Sequence, residues 1–229
     1  ATTGADNTYL GFSAGKGAAG AEANNVGIGS SALLGITTGA YNTVIGSQSG
    51  DALTSQTHNT VVGADALNNS SLVDQTVVIG SQAGQGAMTA AADGTIAVGY
   101  AALAALTSGI GNVAIGSGSM AANATSDINT AVGTQALNKL TQDGAGANVA
   151  VGHQSGFSAT TAQYNVFVGT TAGQAITTGD RNTIIGNDAG YYIVDVDKTV
   201  IIGDQAGTGN MTSDADGTIA IGQAAIRSL

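Results

Sequence analysis

The 229-residue chain has no cysteine, no proline and no tryptophan, and only 9% of its residues are charged. Without cysteine there is neither a disulfide framework nor a thiol nucleophile, and the redox compartment stays open. Only five residues are cationic (Lys16, Lys139, Arg181, Lys198 and Arg227), against fourteen Asp and the single Glu22, for a net charge of −10. Nucleic acid is excluded as a partner, because neutralising phosphates needs clustered Lys and Arg. No stretch approaches the roughly 20 apolar residues of a membrane span, so no membrane insertion is expected, and Ala1 opens without the basic and apolar regions of a secretory signal.

What is abundant is glycine, 36 residues, with small and β-branched apolar side chains. Such a chain can bury a thin core but not a thick one, which favours a narrow, regular fold. Glycines closing short apolar runs stand at Gly11, Gly29, Gly46, Gly63, Gly80, Gly99, Gly116, Gly133, Gly152, Gly169, Gly186, Gly203 and Gly222, always 17 to 19 residues apart. A constant period over the whole length is the mark of a solenoid. The fold class expected is therefore all-β, a parallel β-roll or β-solenoid of about 13 coils forming one repeat domain, residues 1–229, with no linker. A block of seven coils is duplicated within it. Asp74–Gly84 returns almost unchanged at Asp197–Gly207, and Gly29 to Gly152, Gly80 to Gly203 and Gly99 to Gly222 are each 123 residues apart.

Within a coil, the residue before the reference glycine is always aliphatic, and three before it stands Thr, Val or Ile, as in Thr8, Val26 and Ile96. Strand alternation puts these two on one face, and they are expected to fill the coil interior. Three after the glycine is always Ala or Ser, which suggests a tight corner. Seven after it an aliphatic residue often returns (Ile36, Leu53, Leu106, Leu140, Ile176, Ile193), as on a second, weaker strand. Four before the glycine is Asn in nine coils (Asn7, Asn25, Asn42, Asn59, Asn112, Asn129, Asn148, Asn165, Asn182) and Thr in four, which carry an Asp two residues earlier: Asp74, Asp93, Asp197 and Asp216. Asn and Asp oxygens accept backbone N–H groups and hold turns closed, and stacked Asn residues can form a ladder.

The position between the two inward-facing residues is expected to point outward, yet it is apolar or glycine in every coil, including Val44, Val61, Val78, Phe167, Ile184 and Ile201. At roughly 4.8 Å per coil this makes an apolar stripe about 60 Å long. A lone soluble chain rarely exposes such a patch, so these six residues are the expected interface of a homo-oligomer.

The Asn-Thr-x-Ile-Gly signature, as in Asn42-Thr43-Val44-Ile45-Gly46 and Asn182-Thr183-Ile184-Ile185-Gly186-Asn187-Asp188-Ala189-Gly190, resembles the head repeats of trimeric autotransporter adhesins and the repeats of bacteriophage tail fibres. The resemblance covers nearly the whole chain. It implies a left-handed roll in an intertwined or side-by-side homotrimer, extracellular on a virion or cell, touching a host glycan or protein. Adhesin head repeats are typically shorter, and a neck, coiled-coil stalk and anchor are not seen here, which turns the expectation towards a structural and adhesive phage tail-fibre segment.

Catalysis is not expected. His58 and His153 lie on distant coils and read as solvated loop residues, and no Ser has a His partner suggested by spacing. One member of each carboxylate pair, Asp195 with Asp197 and Asp214 with Asp216, already has a turn role. The glycine-and-aspartate frame of calcium rolls is absent, so neither metal nor cofactor is expected. Ice binding is the competing function for a flat solenoid, but Thr stands three before the glycine in only five coils (Thr8, Thr43, Thr60, Thr130, Thr183) and is expected to face inward. Tyr191 and Tyr192 form the only adjacent aromatic pair and are the candidate receptor contact. Ala1-Thr2-Thr3 and Arg227-Ser228-Leu229 abut the first and last coils without looking like caps, so further fibre or another domain is expected beyond at least one end.

Overall fold

The structure, a computed structural model, describes residues 6–18, 20–209 and 211–226. Both chain ends discussed above lie outside the described residues. Contacts group the chain into two compact units, Ala1–Asn112 and Val113–Leu229, and the boundary falls between two repeats with the same coil pattern on either side. Each unit is a parallel β-solenoid, about 12 turns in all, with no α-helix among the described residues.

Each coil contributes one three-residue strand ending just before its reference glycine. In the first unit these are β1 (Thr8–Leu10), β2 (Val26–Ile28), β3 (Thr43–Ile45), β4 (Thr60–Val62), β5 (Val77–Ile79) and β6 (Ile96–Val98). In the second they are β7 (Val113–Ile115), β9 (Thr130–Val132), β11 (Val149–Val151), β12 (Val166–Val168), β13 (Thr183–Ile185), β14 (Val200–Ile202) and β15 (Ile219–Ile221). Two-residue strands, β8 (Ser126–Asp127) and β10 (Gly144–Ala145), pair separately. Equivalent positions stack directly: Thr43 on Thr60, Val44 on Val61 and Ile45 on Val62, and likewise Val166 on Thr183, Phe167 on Ile184 and Val168 on Ile185. The in-register pairing turns every sequence column into a physical one.

The reference glycines form the tightest of these columns. Gly46 has φ +143°, and a Cβ there would lie 2.3 Å from the carbonyl oxygen of Gly63 in the next coil. Only glycine combines that backbone with that approach. The chain then turns through left-handed residues two and four after the glycine, such as Gln48 (φ 55°) and Gly50 (φ 51°). This alternation aims successive N–H groups at both neighbours: Gln48 donates to the Ser30 carbonyl at 2.8 Å and Gly50 to that of Ala66 at 2.9 Å. Corner and strand alike are thus held by backbone bonds between coils.

The small residue three after the glycine is buried at this corner, as at Ala32, Ala66 and Ala102. Where it is Ser, the hydroxyl donates back to the glycine carbonyl, Ser49 to Gly46 at 2.8 Å and Ser119 to Gly116 at 2.9 Å. The aliphatic residues seven after the glycine are buried too, but Ile36, Leu53, Leu106, Leu140, Ile176 and Ile193 lie in turns and not on the second strand expected for them.

The strand faces are the reverse of the sequence expectation. The middle residues are the core: Val44, Val61, Val78, Phe167, Ile184 and Ile201 are all 0% exposed within their own units. They are therefore not an outward stripe, and no second chain can reach them in this fold. The flanking residues point outward instead. The buried Asn fixes the parity, because four before and two before the glycine fall on the same side of the chain.

Core volume is balanced within the coil. Where the middle residue is large, the left-handed position four after the glycine is Gly, as in Tyr9 with Gly15, Ile184 with Gly190 and Ile201 with Gly207. Where it is small, that position is a buried Leu or Met, as in Gly27 with Leu33, Ala97 with Leu103, Ala114 with Met120 and Ala131 with Leu137. Leu33, Leu103 and Leu137 accept φ of 48 to 51° to do so, a conformation that costs a non-glycine residue roughly 1–2 kcal/mol. Burying a leucine side chain contributes about 1.5–3 kcal/mol, enough to offset it. Three coils depart from the rule: Val61 faces Leu67, Ala220 faces Ile226, which is only part-buried, and Ala150 faces Gly156, where the ring of Phe167 enters from the next coil.

Candidate interaction surfaces

Three surfaces are built by these columns. The first is the outer face of the parallel sheet. Its columns read Thr43 and Ile45, Thr60 and Val62, Val77 and Ile79 in the first unit, and Thr130 and Val132, Val149 and Val151, Val166 and Val168 in the second. Stacked neighbours shield one another only partly: Ile45, Ile79, Ile115, Val149 and Val151 remain 37–39% exposed. No charged side chain occurs in any of the thirteen three-residue strands. A flat, uncharged face of β-branched side chains packs well against another of the same kind.

The second is an inner ladder. Asn42 Oδ1 accepts the backbone N–H and the side-chain amide of Asn59, each at 3.0 Å. Its own Nδ2 donates to Asn25 Oδ1 at 3.0 Å and to the Gln56 carbonyl at 2.8 Å. The same bonds join Asn148 to Asn129 and Asn165 to Asn148, and Asn182 N–H donates to Asn165 Oδ1. Asn112 is buried in the same column. These side chains link one coil to the next, as the stacked ladder expected of this column does. Thr76 and Thr199 end runs of the ladder by donating to Asn59 and Asn182, both at 2.7 Å.

The aspartates two residues before those threonines add a parallel stitch. Asp93 accepts the N–H of Asp74 at 2.8 Å, Asp197 that of Asp180 at 2.7 Å, and Asp216 that of Asp197 at 2.8 Å. Asp180 does the same for Gln163 although its coil keeps Asn182. The device is thus an addition to the Asn ladder and not a replacement for it.

The third is a cleft of 470 Å³ in the second unit, lined by Asp188, Tyr191, Tyr192, Gln205 and Thr208. The two tyrosine rings meet edge to face with centroids 4.6 Å apart, and Tyr192 is 58% exposed. Asp188 and Gln205 hold the same left-handed corner position of successive coils, φ 52° and 55°, so their side chains project side by side.

His58 and His153 are both exposed, and His58 stacks on Tyr41 with ring centroids 5.0 Å apart. Tyr41, His58, Tyr164 and Arg181 all lie five before the reference glycine, in left-handed backbone, and the Arg181 guanidinium sits over the Tyr164 ring at 5.2 Å. The signal for these outward stacks in the sequence is the recurrence of aromatic or cationic residues at that one coil position. Among the described residues no three His, Cys, Asp or Glu side chains gather as a metal site, and no helix is long and apolar enough to cross a membrane. Comparison with family models, curated proteins and solved structures finds no match to this chain.

Proposed function

We propose that this chain is a structural and adhesive segment of a trimeric extracellular fibre, a phage tail fibre that mediates attachment to a host surface. The observation that carries this reading is the uncharged, β-branched outer face of the parallel sheet, repeated coil after coil and part-exposed in a single chain. Its occupant is a second and a third copy of the chain. Copies share the repeat of the face they meet, so contacts made at one coil recur at every other, as a closed rotational assembly requires. The interface lies on the columns beside the middle one, Ile45 and Ile115 in place of Val44, because an apolar face left part-exposed over many coils calls for a partner. The same reading covers the head region of a bacterial trimeric adhesin, whose repeats the Asn-Thr-x-Ile-Gly signature also resembles. No catalysis enters it.

A second reading draws on the inverted parity. Thr43 and Thr60, stacked in register, face outward, so the flat Thr and Val columns are also the kind of surface that adsorbs to ice. Light scattering at elution from a sizing column separates the two. A mass of three chains supports the fibre. A mass of one chain removes it and leaves ice adsorption to be measured by thermal hysteresis.

A further inference from the structure

We propose that the cleft between Asp188, Tyr191, Tyr192, Gln205 and Thr208 is a binding site for a neutral glycan. The inference deepens the adhesive reading above and draws on it, but not on the trimer.

In the columns five and six after the reference glycine the other coils carry mostly small or polar residues, such as Asp51 and Ala52 or Ala121 and Ala122, whereas this coil alone has two tyrosines. The pair is not core. Ile193, the next residue, fills the interior at 0% exposure, while Tyr192 stays open and its edge-to-face contact with Tyr191 fixes the orientation of both rings. A volume of 470 Å³ falls within the roughly 300–1,000 Å³ of small-ligand sites.

The lining matches the alternating surface of a pyranose, which offers apolar C–H patches to an aromatic ring and hydroxyls to polar groups at its rim. Asp188 is positioned for this. Its backbone N–H donates to the Thr170 carbonyl at 3.0 Å, its Oδ1 accepts from the Thr171 hydroxyl, and its Oδ2 accepts from Asn187 Nδ2 at 2.9 Å. An ionised carboxylate has about four lone-pair sites, so acceptor capacity remains for sugar hydroxyls. Gln205 and Thr208 offer both donors and acceptors.

Charge selects the ligand class. Asp188 lines the cleft, Asp204 shares Asn187 Nδ2 at 3.3 Å, and no cationic residue contributes to the lining. Sialylated, sulfated and phosphorylated glycans are therefore disfavoured, and uncharged hexose and N-acetylhexosamine units are preferred. None of the five lining residues belongs to a strand, so the outer sheet face and the cleft use different residues.

The test is titration of the intact chain with a panel of neutral oligosaccharides ending in glucose, galactose, mannose or an N-acetylhexosamine, beside sialylated counterparts. At least one neutral glycan should bind. Tyr192→Ala should weaken it roughly tenfold or more, Asp188→Asn should weaken it, and Tyr192→Phe should retain the stacking and most of the affinity. Tyr100→Ala, which removes an equally exposed tyrosine (58%) in the first unit, should change nothing. Circular dichroism checks that each variant stays folded. Absence of neutral-glycan binding, preference for the sialylated glycans, or binding unaffected by Tyr192→Ala would each overturn the site. A trimer that binds no glycan loses only this site, whereas a monomer that binds loses only the fibre.

Discussion

Phe167 and Gly173 occupy one space: a Cβ on Gly173 would lie 2.5 Å from Cδ1 and Cε1 of the Phe167 ring. A Cβ on Gly156, one coil earlier, would also meet the ring, at 2.7 Å. Phe167→Ala should destabilise the second unit by about 3–5 kcal/mol, the usual cost of emptying a phenylalanine site. Adding Gly173→Leu to that variant should restore a substantial part, because Ala131 with Leu137 is the same combination. Gly173→Leu alone should be at least as harmful as Phe167→Ala. Thermal melts of the three variants check the pattern, and additive losses would refute the shared-volume account.

Glycines of similar φ sign should differ sharply in tolerance. Gly46→Ala places its Cβ against the Gly63 carbonyl and must displace a neighbouring coil, so a loss of more than about 3 kcal/mol is expected. Gly94→Ala, at φ +73° with nothing within 4 Å, should cost only about 1–2 kcal/mol, the intrinsic penalty of a left-handed residue. Urea unfolding of the pair measures the difference.

Asp51 gives a pH signature. Burial pushes its carboxyl above the ordinary range, with the Asp65 charge adding to the shift and backbone hydrogen bonds opposing it, and Oδ1 is buried without a partner. A carboxyl whose folded pKa is raised makes the folded state take up the proton more readily. Its penalty is fully present above the folded pKa and is relieved as pH falls towards the unfolded value. Asp51→Asn should therefore melt higher than the parent at pH 7, and the gap should close on acidification. A gap that is constant with pH would remove Asp51 as its source.

Core and interface should separate cleanly along one strand. Val44→Asp buries a charge in the coil interior, 0% exposed, and should abolish cooperative folding of the first unit. Ile45→Asp changes an outward neighbour that is 37% exposed, and should leave the coil folded while reducing the solution mass to that of one chain. A folded Val44→Asp variant would contradict the strand parity. An Ile45→Asp assembly of unchanged mass would take the outer sheet face out of the interface.

Much of this was legible in the residues because a solenoid writes its geometry as a period. The thirteen glycines set coil length, and the duplicated loops fold alike: Ala90–Ala92 and Ser213–Ala215 form matching 3₁₀ turns. The Asn column and its ladder from coil to coil are legible in the same period. Facing was misread. A three-residue strand such as Thr43-Val44-Ile45 is apolar on both sides, so hydrophobicity does not choose a face. The face is marked instead by the inverse sizes of Ala97 with Leu103 and Ile184 with Gly190, six residues apart and on no common helix or strand.

The repeat, the parallel stacking and the positions where only glycine, alanine or serine fits are written in the residues, because each follows from spacing and side-chain size. Which face of each strand is core was decided by the tertiary structure. It depends on Asn42 bonding to Asn25 and Asn59 within one buried column, and on Leu33 turning inward over Gly27, contacts that exist only once the coils are stacked. The meeting of Asp188 with Tyr192 and Gln205 in one cleft was decided there too, since consecutive coils bring these residues together across 17 positions of chain.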